Sequence, residues 1–216
     1  MYEKEKQSLI DCALQMKECR LITLCGGNVC IRLDDGNIAV TPSGLDYEIM
    51  TTDDICIVDI DGNRVEGHRR PTSDLDAILH IFRVMPWVNA TIHTHQPYAT
   101  ALGLVTDIFP SCLVSQIDAL RGDVPVAPFT PSSDKGMGLL TEEYFNGSLA
   151  VILRGHGVMA FGPSLQVALY AAAYLEEASQ TYLAALATGR PVEPLDPKMV
   201  KAELGDEDSW IKYLQK

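Results

Sequence analysis

The spacing of apolar positions changes along the chain, and each change marks a new element. Residues 3 to 18 carry Leu9, Ile10, Ala13, Leu14 and Met16 at near-helical spacing, which predicts an amphipathic opening helix. Gly26-Gly27-Asn28 breaks that pattern off. Short apolar runs at 29 to 33 and 38 to 40, joined by Asp34-Asp35-Gly36-Asn37, read as a hairpin. Thr41-Pro42-Ser43-Gly44 follows as a turn, and residues 51 to 54 as a short helical turn. Runs at 55 to 60 and 64 to 66 make a second hairpin around Asp61-Gly62. The first third of the chain is therefore mostly antiparallel strand.

Helical spacing returns at 74 to 85, where Leu75, Ile78, Leu79 and Phe82 form an apolar stripe, Thr72 or Ser73 stands in capping position and Pro86 ends the helix. The β-favouring run Asn89-Ala90-Thr91-Ile92-His93-Thr94-His95 comes next, and Pro97 opens a helix reaching 105. Residues 112 to 121 fit strand or helix. Residues 124 to 127 read as a strand, 133 to 145 as a helix, 149 to 153 as a buried strand and 158 to 161 as its partner beyond Gly155-His156-Gly157. Ser164 opens the longest helix, to about 188, ended by Gly189; the tail from Pro191 is acidic and holds Trp210 and Tyr213. This order implies an α/β protein with a central mixed or antiparallel sheet covered by helices on both sides. No linker or composition break divides residues 1–216, so one domain with a tail from about 191 is expected.

Composition narrows the function classes. A formal net charge of −12 argues against a nucleic-acid partner, which would need clustered Lys and Arg. No apolar run approaches the roughly 20 residues that cross a bilayer, and Glu3-Lys4-Glu5-Lys6-Gln7 is an exposed helix start rather than a secretory leader. No membrane partner and a cytoplasmic location are expected. Cysteines at 12, 19, 25, 30, 56 and 112 form no C-x-x-C pair and read as buried free thiols.

The candidate chemistry lies between residues 70 and 156. Period-two alternation puts His93 and His95 on one face of a strand, and His156 stands where a buried strand ends between two glycines. Three imidazoles at strand ends suit one zinc-like ion with an exchangeable position. His68, in a polar loop, and His80, pairing with Asp76 on an exposed helix face, read as ordinary residues. Asp74, which starts a helix just before the His-x-His strand, is the candidate carboxylate. Zn²⁺, or Mn²⁺ or Co²⁺ in its place, fits such a set. Asn28, Ser43, Gly44, Thr72 and Ser73 offer hydroxyl, amide or backbone N–H groups that together suit a phosphate. Neither G-x-x-x-x-G-K-[ST] nor G-x-G-x-x-G occurs, so a nucleotide-binding fold has no support.

Gly27-Asn28-Val29, Thr41-Pro42-Ser43-Gly44, Pro71-Thr72-Ser73-Asp74, His93-Thr94-His95 and Gly155-His156-Gly157, in that order, resemble the class II aldolase/adducin-head family. Its enzymes include aldolases of L-fuculose 1-phosphate and 4-epimerases of L-ribulose 5-phosphate. The resemblance runs from the opening helix to at least Gly189. It implies a three-layer α/β/α fold with a mixed, mainly antiparallel sheet, a homotetramer with active sites between subunits, a divalent metal, usually zinc, and a small phosphorylated sugar as substrate. By the same resemblance His93, His95, His156 and Asp74 are metal ligands, and Asn28, Ser43, Gly44, Thr72 and Ser73 form the phosphate pocket. The adducin branch lacks the metal histidines; all three are present here, which favours an enzyme over a silent interaction module.

The chemistry implied is a retro-aldol cleavage through an enediolate, with a base to take the hydroxyl proton and an acid to return one. Release of the aldehyde makes a lyase; its rotation and re-addition make a 4-epimerase; a phosphorylated 3-keto sugar acid would instead lose its carboxylate. Departures from the pattern bear on that choice. Val114 stands where the fuculose-phosphate branch has a catalytic tyrosine, and Gln116 where many members have glutamate. Asp118, ahead of Gly122-Asp123-Val124-Pro125, matches the epimerase branch's catalytic aspartate, while Tyr213 matches a tail tyrosine that both branches use across the subunit interface. The acid/base candidates are thus Asp74, Asp118 and Tyr213.

Overall fold

The computed structural model describes residues 1–132 and 135–205. Helix α1 spans Glu3–Glu18; strands β1 Asn28–Arg32, β2 Ile38–Val40, β3 Cys56–Val58 and β4 Arg64–Glu66 follow, with a 3₁₀ turn at Thr52–Asp54. Helix α2 (Leu75–Val84), β5 (Ala90–Thr94), α3 (Pro97–Val105), β6 (Ile108–Phe109), α4 (Val114–Leu120) and β7 (Val124–Ala127) come next. The order continues through α5 (Gly136–Tyr144), β8 (Ala150–Leu153), β9 (Gly157–Gly162), α6 (Leu165–Leu186) and α7 (Pro197–Leu204). The strands form one sheet in the order β4-β3-β2-β1-β5-β9-β8-β7-β6. Every pairing is antiparallel except β7 with β8. The mixed, mainly antiparallel sheet expected from the sequence is the one observed.

Alternation along the strands feeds two separate cores. On β9, Val158 and Ala160 join a core made with α1, α3, α4 and α6, whereas Met159 and Phe161 join one made with α2 and α5. Val29 and Cys30 on β1 divide in the same way. Helices thus cover both faces, giving three layers. Burying Phe82, Ile78 and Leu79 from α2 against the sheet fixes the helix whose N-terminal end borders the site.

Differences from the sequence-based expectations have local causes. Helix α2 takes Asp74 as its N-cap with no side-chain capping bond, leaving Thr72 and Ser73 in the preceding turn. His80 does not sit on an exposed face with Asp76: it is buried, and its Nε2 lies 2.7 Å from Glu142 Oε2, because α5 covers that side of α2. The undecided stretch 112 to 121 contains α4. Helix α7 arises in the acidic tail without a buried residue, started by Asp196, which accepts from Lys198 N, and by Pro197. Cys12, Cys30 and Cys56 are buried free thiols as expected, but Cys19 and Cys25 are exposed. No helix among the described residues is long and apolar enough to cross a membrane.

Beyond β5 the chain is fastened to α6. Thr94 Oγ1 donates to Gln96 Oε1 at 2.6 Å, and Gln96 Nε2 donates to Ala172 O at 3.1 Å. Glu176 accepts the first free N–H groups of α3, from Tyr98 at 2.9 Å and Ala99 at 3.0 Å. Burial pushes the Glu176 carboxyl up, and the two backbone donors act against that push. Replacing Glu176 with Ala orphans both amides and is expected to lower stability by about 1–3 kcal/mol, with Gln, which keeps one oxygen acceptor, losing about half as much. Urea unfolding at neutral pH measures both; a loss under about 0.5 kcal/mol for Ala would show that water replaces the carboxylate.

Candidate metal centre and phosphate pocket

His93, the last but one residue of β5, lies directly opposite Asn28 on β1 and Met159 on β9. Paired residues share a face, so its ring lies on the α2/α5 side of the sheet, and His95, two positions on, follows it there. His156 arrives from the β8–β9 turn, closed by its N–H donating to Leu153 O at 3.0 Å. The sequence brings these histidines from two segments, and the fold brings one nitrogen of each within 4.8 Å of the others. His93 and His95 present Nε2 atoms 3.1 Å apart.

Two glycines make the convergence possible. A Cβ on Gly27 (φ +75°) would fall 2.3 Å from His93 O, and one on Gly157 would fall 2.1 Å from Thr94 O. The chain before β1 and the start of β9 therefore press against the end of β5 from both sides. Tyr47 holds the first of these approaches by donating its hydroxyl to Gly27 O at 2.9 Å.

The electrostatics suit metal ligation. Burial, reinforced by His95 and His156, pushes His93 down to about 3, while Val158 O at 2.9 Å from its Nδ1 acts in the opposite sense. Burial also lowers His95 and His156, against the opposing influence of Asp74. Neutral imidazoles are the form that binds metal. The Val158 carbonyl fixes the His93 tautomer with the proton on Nδ1 and leaves the Nε2 lone pair for a ligand. His156 Nδ1 is buried with no hydrogen-bond partner among the described residues. Zinc–nitrogen bonds of about 2.0–2.1 Å place tetrahedral ligand atoms about 3.3 Å apart, close to the His93–His95 separation. The donor set fits a divalent ion.

Asp74 stands next to this cluster without joining it. Asn28 Nδ2 donates to Asp74 Oδ2 at 2.8 Å, and Ser73 Oγ is 3.5 Å from Oδ1. Asn28 is 1% exposed and, like His93, is not among the pocket's lining residues; its amide holds the Asp74 carboxylate that is. Ser43, Gly44, Thr72 and Ser73 do line the pocket, together with Asp74, His95 and His156. Ser43 N donates to Arg70 O and Thr72 N to Thr41 O, at 3.0 and 3.1 Å, which sets these two loops side by side. The pocket's volume of about 190 Å³ is below the roughly 300–1,000 Å³ typical of drug-sized ligands, which suits a small substrate.

The sequence reading did not assign Cys25, Gly26, Gly27 or Ser132 to this pocket, all of which line it. The Gly26-Gly27 break was the signal for the first three; nothing local distinguished Ser132. Asp118 is exposed on α4 and outside the pocket of its own chain, Val114 is exposed, and Gln116 is buried, accepting from Cys112 N and donating to Pro110 O. Tyr213 lies outside the described residues.

A three-layer sheet protein with three convergent imidazoles and a hydroxyl-lined cradle matches a known class. Residues 7–183 match the family described as the class II aldolase and adducin N-terminal domain, and the chain belongs to that family. It is 31% identical over 195 residues to the 5-deoxy-D-ribulose 1-phosphate aldolase of Bacillus thuringiensis serovar kurstaki, covering 88% of this chain and 90% of the relative. Identity to an L-ribulose-5-phosphate 4-epimerase of Salmonella paratyphi B is 28%, covering 90% of each chain. Among solved structures, an L-fuculose 1-phosphate aldolase superposes with a TM-score of 0.85 at 27% identity, covering 98% of this chain and 96% of the other. Within the family the protein is an enzyme of the aldolase and epimerase group.

The tight approach at Gly157 gives a direct check. Gly157→Ala must displace Thr94 and the two histidines that flank it, and is expected to weaken zinc binding at least tenfold, as disturbed ligand orientation does, while costing about 1–3 kcal/mol of stability. Metal content after dialysis reads the first effect; a folded variant with full zinc occupancy would contradict the stated packing.

Proposed function

We propose that this protein is a divalent-metal-dependent lyase that cleaves a small ketose 1-phosphate by retro-aldol chemistry. The observation that carries the reading is the single pocket in which Ser43, Gly44, Thr72 and Ser73 adjoin His95, His156 and Asp74. Phosphate-type donors and imidazoles facing one pocket suit a substrate whose phosphate and carbonyl are close together, as in a ketose 1-phosphate.

The hydroxyls of Thr72 and Ser73, the Ser43-Gly44 turn and the N-terminal end of α2 hold the phosphate. When bound by His93, His95 and His156, a divalent ion supplies electrophilic polarisation of the ketone; zinc suits the three nitrogen donors best, and Mn²⁺ or Co²⁺ can replace it. The Asp74 carboxylate, oriented by Asn28, takes a proton from the hydroxyl of the carbon beyond the breaking bond and returns it to the enediolate fragment. Burial keeps the three imidazoles uncharged, so they do not compete for that proton. Asp118, exposed on α4, and Tyr213 complete the acid/base set from a neighbouring subunit of a homotetramer. A phosphorylated-sugar substrate supports a cytoplasmic location, where such sugars are made and consumed.

Zinc-loaded protein is expected to release dihydroxyacetone phosphate from ketose 1-phosphates, followed by coupled NADH oxidation. His93→Ala should lower kcat/KM at least ~10³-fold, as expected when electrophilic stabilisation is lost. Ser73→Ala should raise KM roughly 10-fold with little change in kcat, the pattern of lost uniform binding. Inversion at C4 of a ketose 5-phosphate with no triose product would replace this reading with a 4-epimerase; a His93→Ala variant with full metal and activity would refute the ligand assignment.

A further inference from the structure

The strand bearing His93 and His95 and the turn bearing His156 are distant in sequence, and a second connection joins them away from the triad. We propose that Arg154 is a positioning residue that sets His156 against the β5 pair, by clasping the turn it opens to the far end of α3. The inference rests on the metal-site reading above.

Helix α3 begins at Pro97, two residues after His95, and ends at Val105. Its last carbonyls have no partner within the helix and carry its partial negative charge. Arg154 meets them with its guanidinium fork. Nη1 donates to Gly103 O at 2.6 Å, and Nη2 donates to Thr106 O at 3.1 Å and to Asp107 Oδ1 at 2.6 Å. The backbone of Arg154 is fixed as well, its N–H donating to Ala127 O at 3.0 Å. One end of a nine-residue helix is therefore tied to His95, and the other end is tied to the residue two before His156.

The two kinds of contact contribute unequally. Asp107's side chain is 97% exposed, so its ion pair with Arg154 is solvent-screened. The carbonyl bonds are the clasp. They require donors in a planar fork aimed at two oxygens at once, which a lysine ammonium on a flexible stem does not reproduce. Loosening them leaves β5 intact, because its pairings with β1 and β9 do not involve Arg154. What changes is the placement of the third imidazole.

The test measures metal affinity rather than turnover. Metal-free wild type, Arg154→Ala, Arg154→Lys and Asp107→Asn are titrated with Zn²⁺ against a chromophoric chelator, and with Co²⁺, whose visible absorption reports ligand geometry. Circular dichroism at the same temperature establishes that each is folded. Arg154→Ala is expected to bind Zn²⁺ about 10–100-fold more weakly and to change the Co²⁺ spectrum, as lost ligand orientation does. Arg154→Lys should fall between Ala and wild type, and Asp107→Asn within about threefold of wild type, as for an exposed pair. If Arg154→Ala does not fold, Arg154→Lys decides alone. Unchanged affinity and spectrum in the folded Arg154 variant overturn the clasp, and so does an Asp107→Asn loss as large as that of Arg154→Ala. Wild type that takes up no stoichiometric Zn²⁺ refutes the metal site itself, and that is seen before any variant is compared.

Discussion

The close approach of backbone to backbone at the end of β5 is the constraint on which the rest of this molecule depends. Gly27 and Gly157 touch the carbonyls of His93 and Thr94 from opposite sides, at distances where no side chain fits. The first contact brings β1, and with it Asn28, alongside His93; the second starts β9 at the height where the β8–β9 turn delivers His156. Sheet order then does what spacing in the sequence cannot. It puts three imidazoles from segments 60 residues apart around one point, with an asparagine behind the neighbouring carboxylate.

Burial at this point has a chemical consequence. A histidine excluded from water at the centre of a sheet gives up its charge, and His93 is driven down to about 3 by its surroundings. Asp74 works in the other direction on His95 and His156, so the site grades from the buried His93 ring through the half-buried His156 to the exposed His95 beside a carboxylate. Val158 O fixes one nitrogen of His93 and thereby aims the other. The same strand that supplies a core residue at Ile92 supplies a candidate ligand at His93, because alternation sends them to opposite faces.

Most of the fold was legible because it rests on local signals. The period-3.6 stripe of α2, the period-2 run into His93 and the Ser164 cap, which accepts from Val167 N at 3.4 Å, each specify an element unaided. The three histidines and the two hydroxyl loops were legible for the same reason, standing at strand ends and helix starts. What could not be read was which side chain turns toward which. The place of Asn28 after two glycines does not reveal that β1–β5 pairing buries it against Asp74. His80 looked solvated because nothing near it in sequence reveals that α5 returns across α2. Ser132 and Cys25 reach the pocket only through the tertiary arrangement.

The electrostatics of the pocket tie its two halves together. The chain carries a net charge of −12, and among the described residues no lysine or arginine lines the pocket; the one formally charged side chain in its described lining is the Asp74 carboxylate. Hydroxyls, backbone N–H groups and the positive end of α2 can shape a site for a phosphate, but against a neighbouring carboxylate and the field of the whole chain they contribute little net positive potential. In the proposed function a dianionic substrate therefore needs the charge that a divalent ion would bring to the imidazoles beside it. On the proposed reading, the groups assigned to the phosphate and the groups assigned to the metal form one binding unit. Thr72 and Ser73 stand in the turn directly before the carboxylate, which suits that coupling: an anion, a cation and a proton-accepting group held as neighbours support one another.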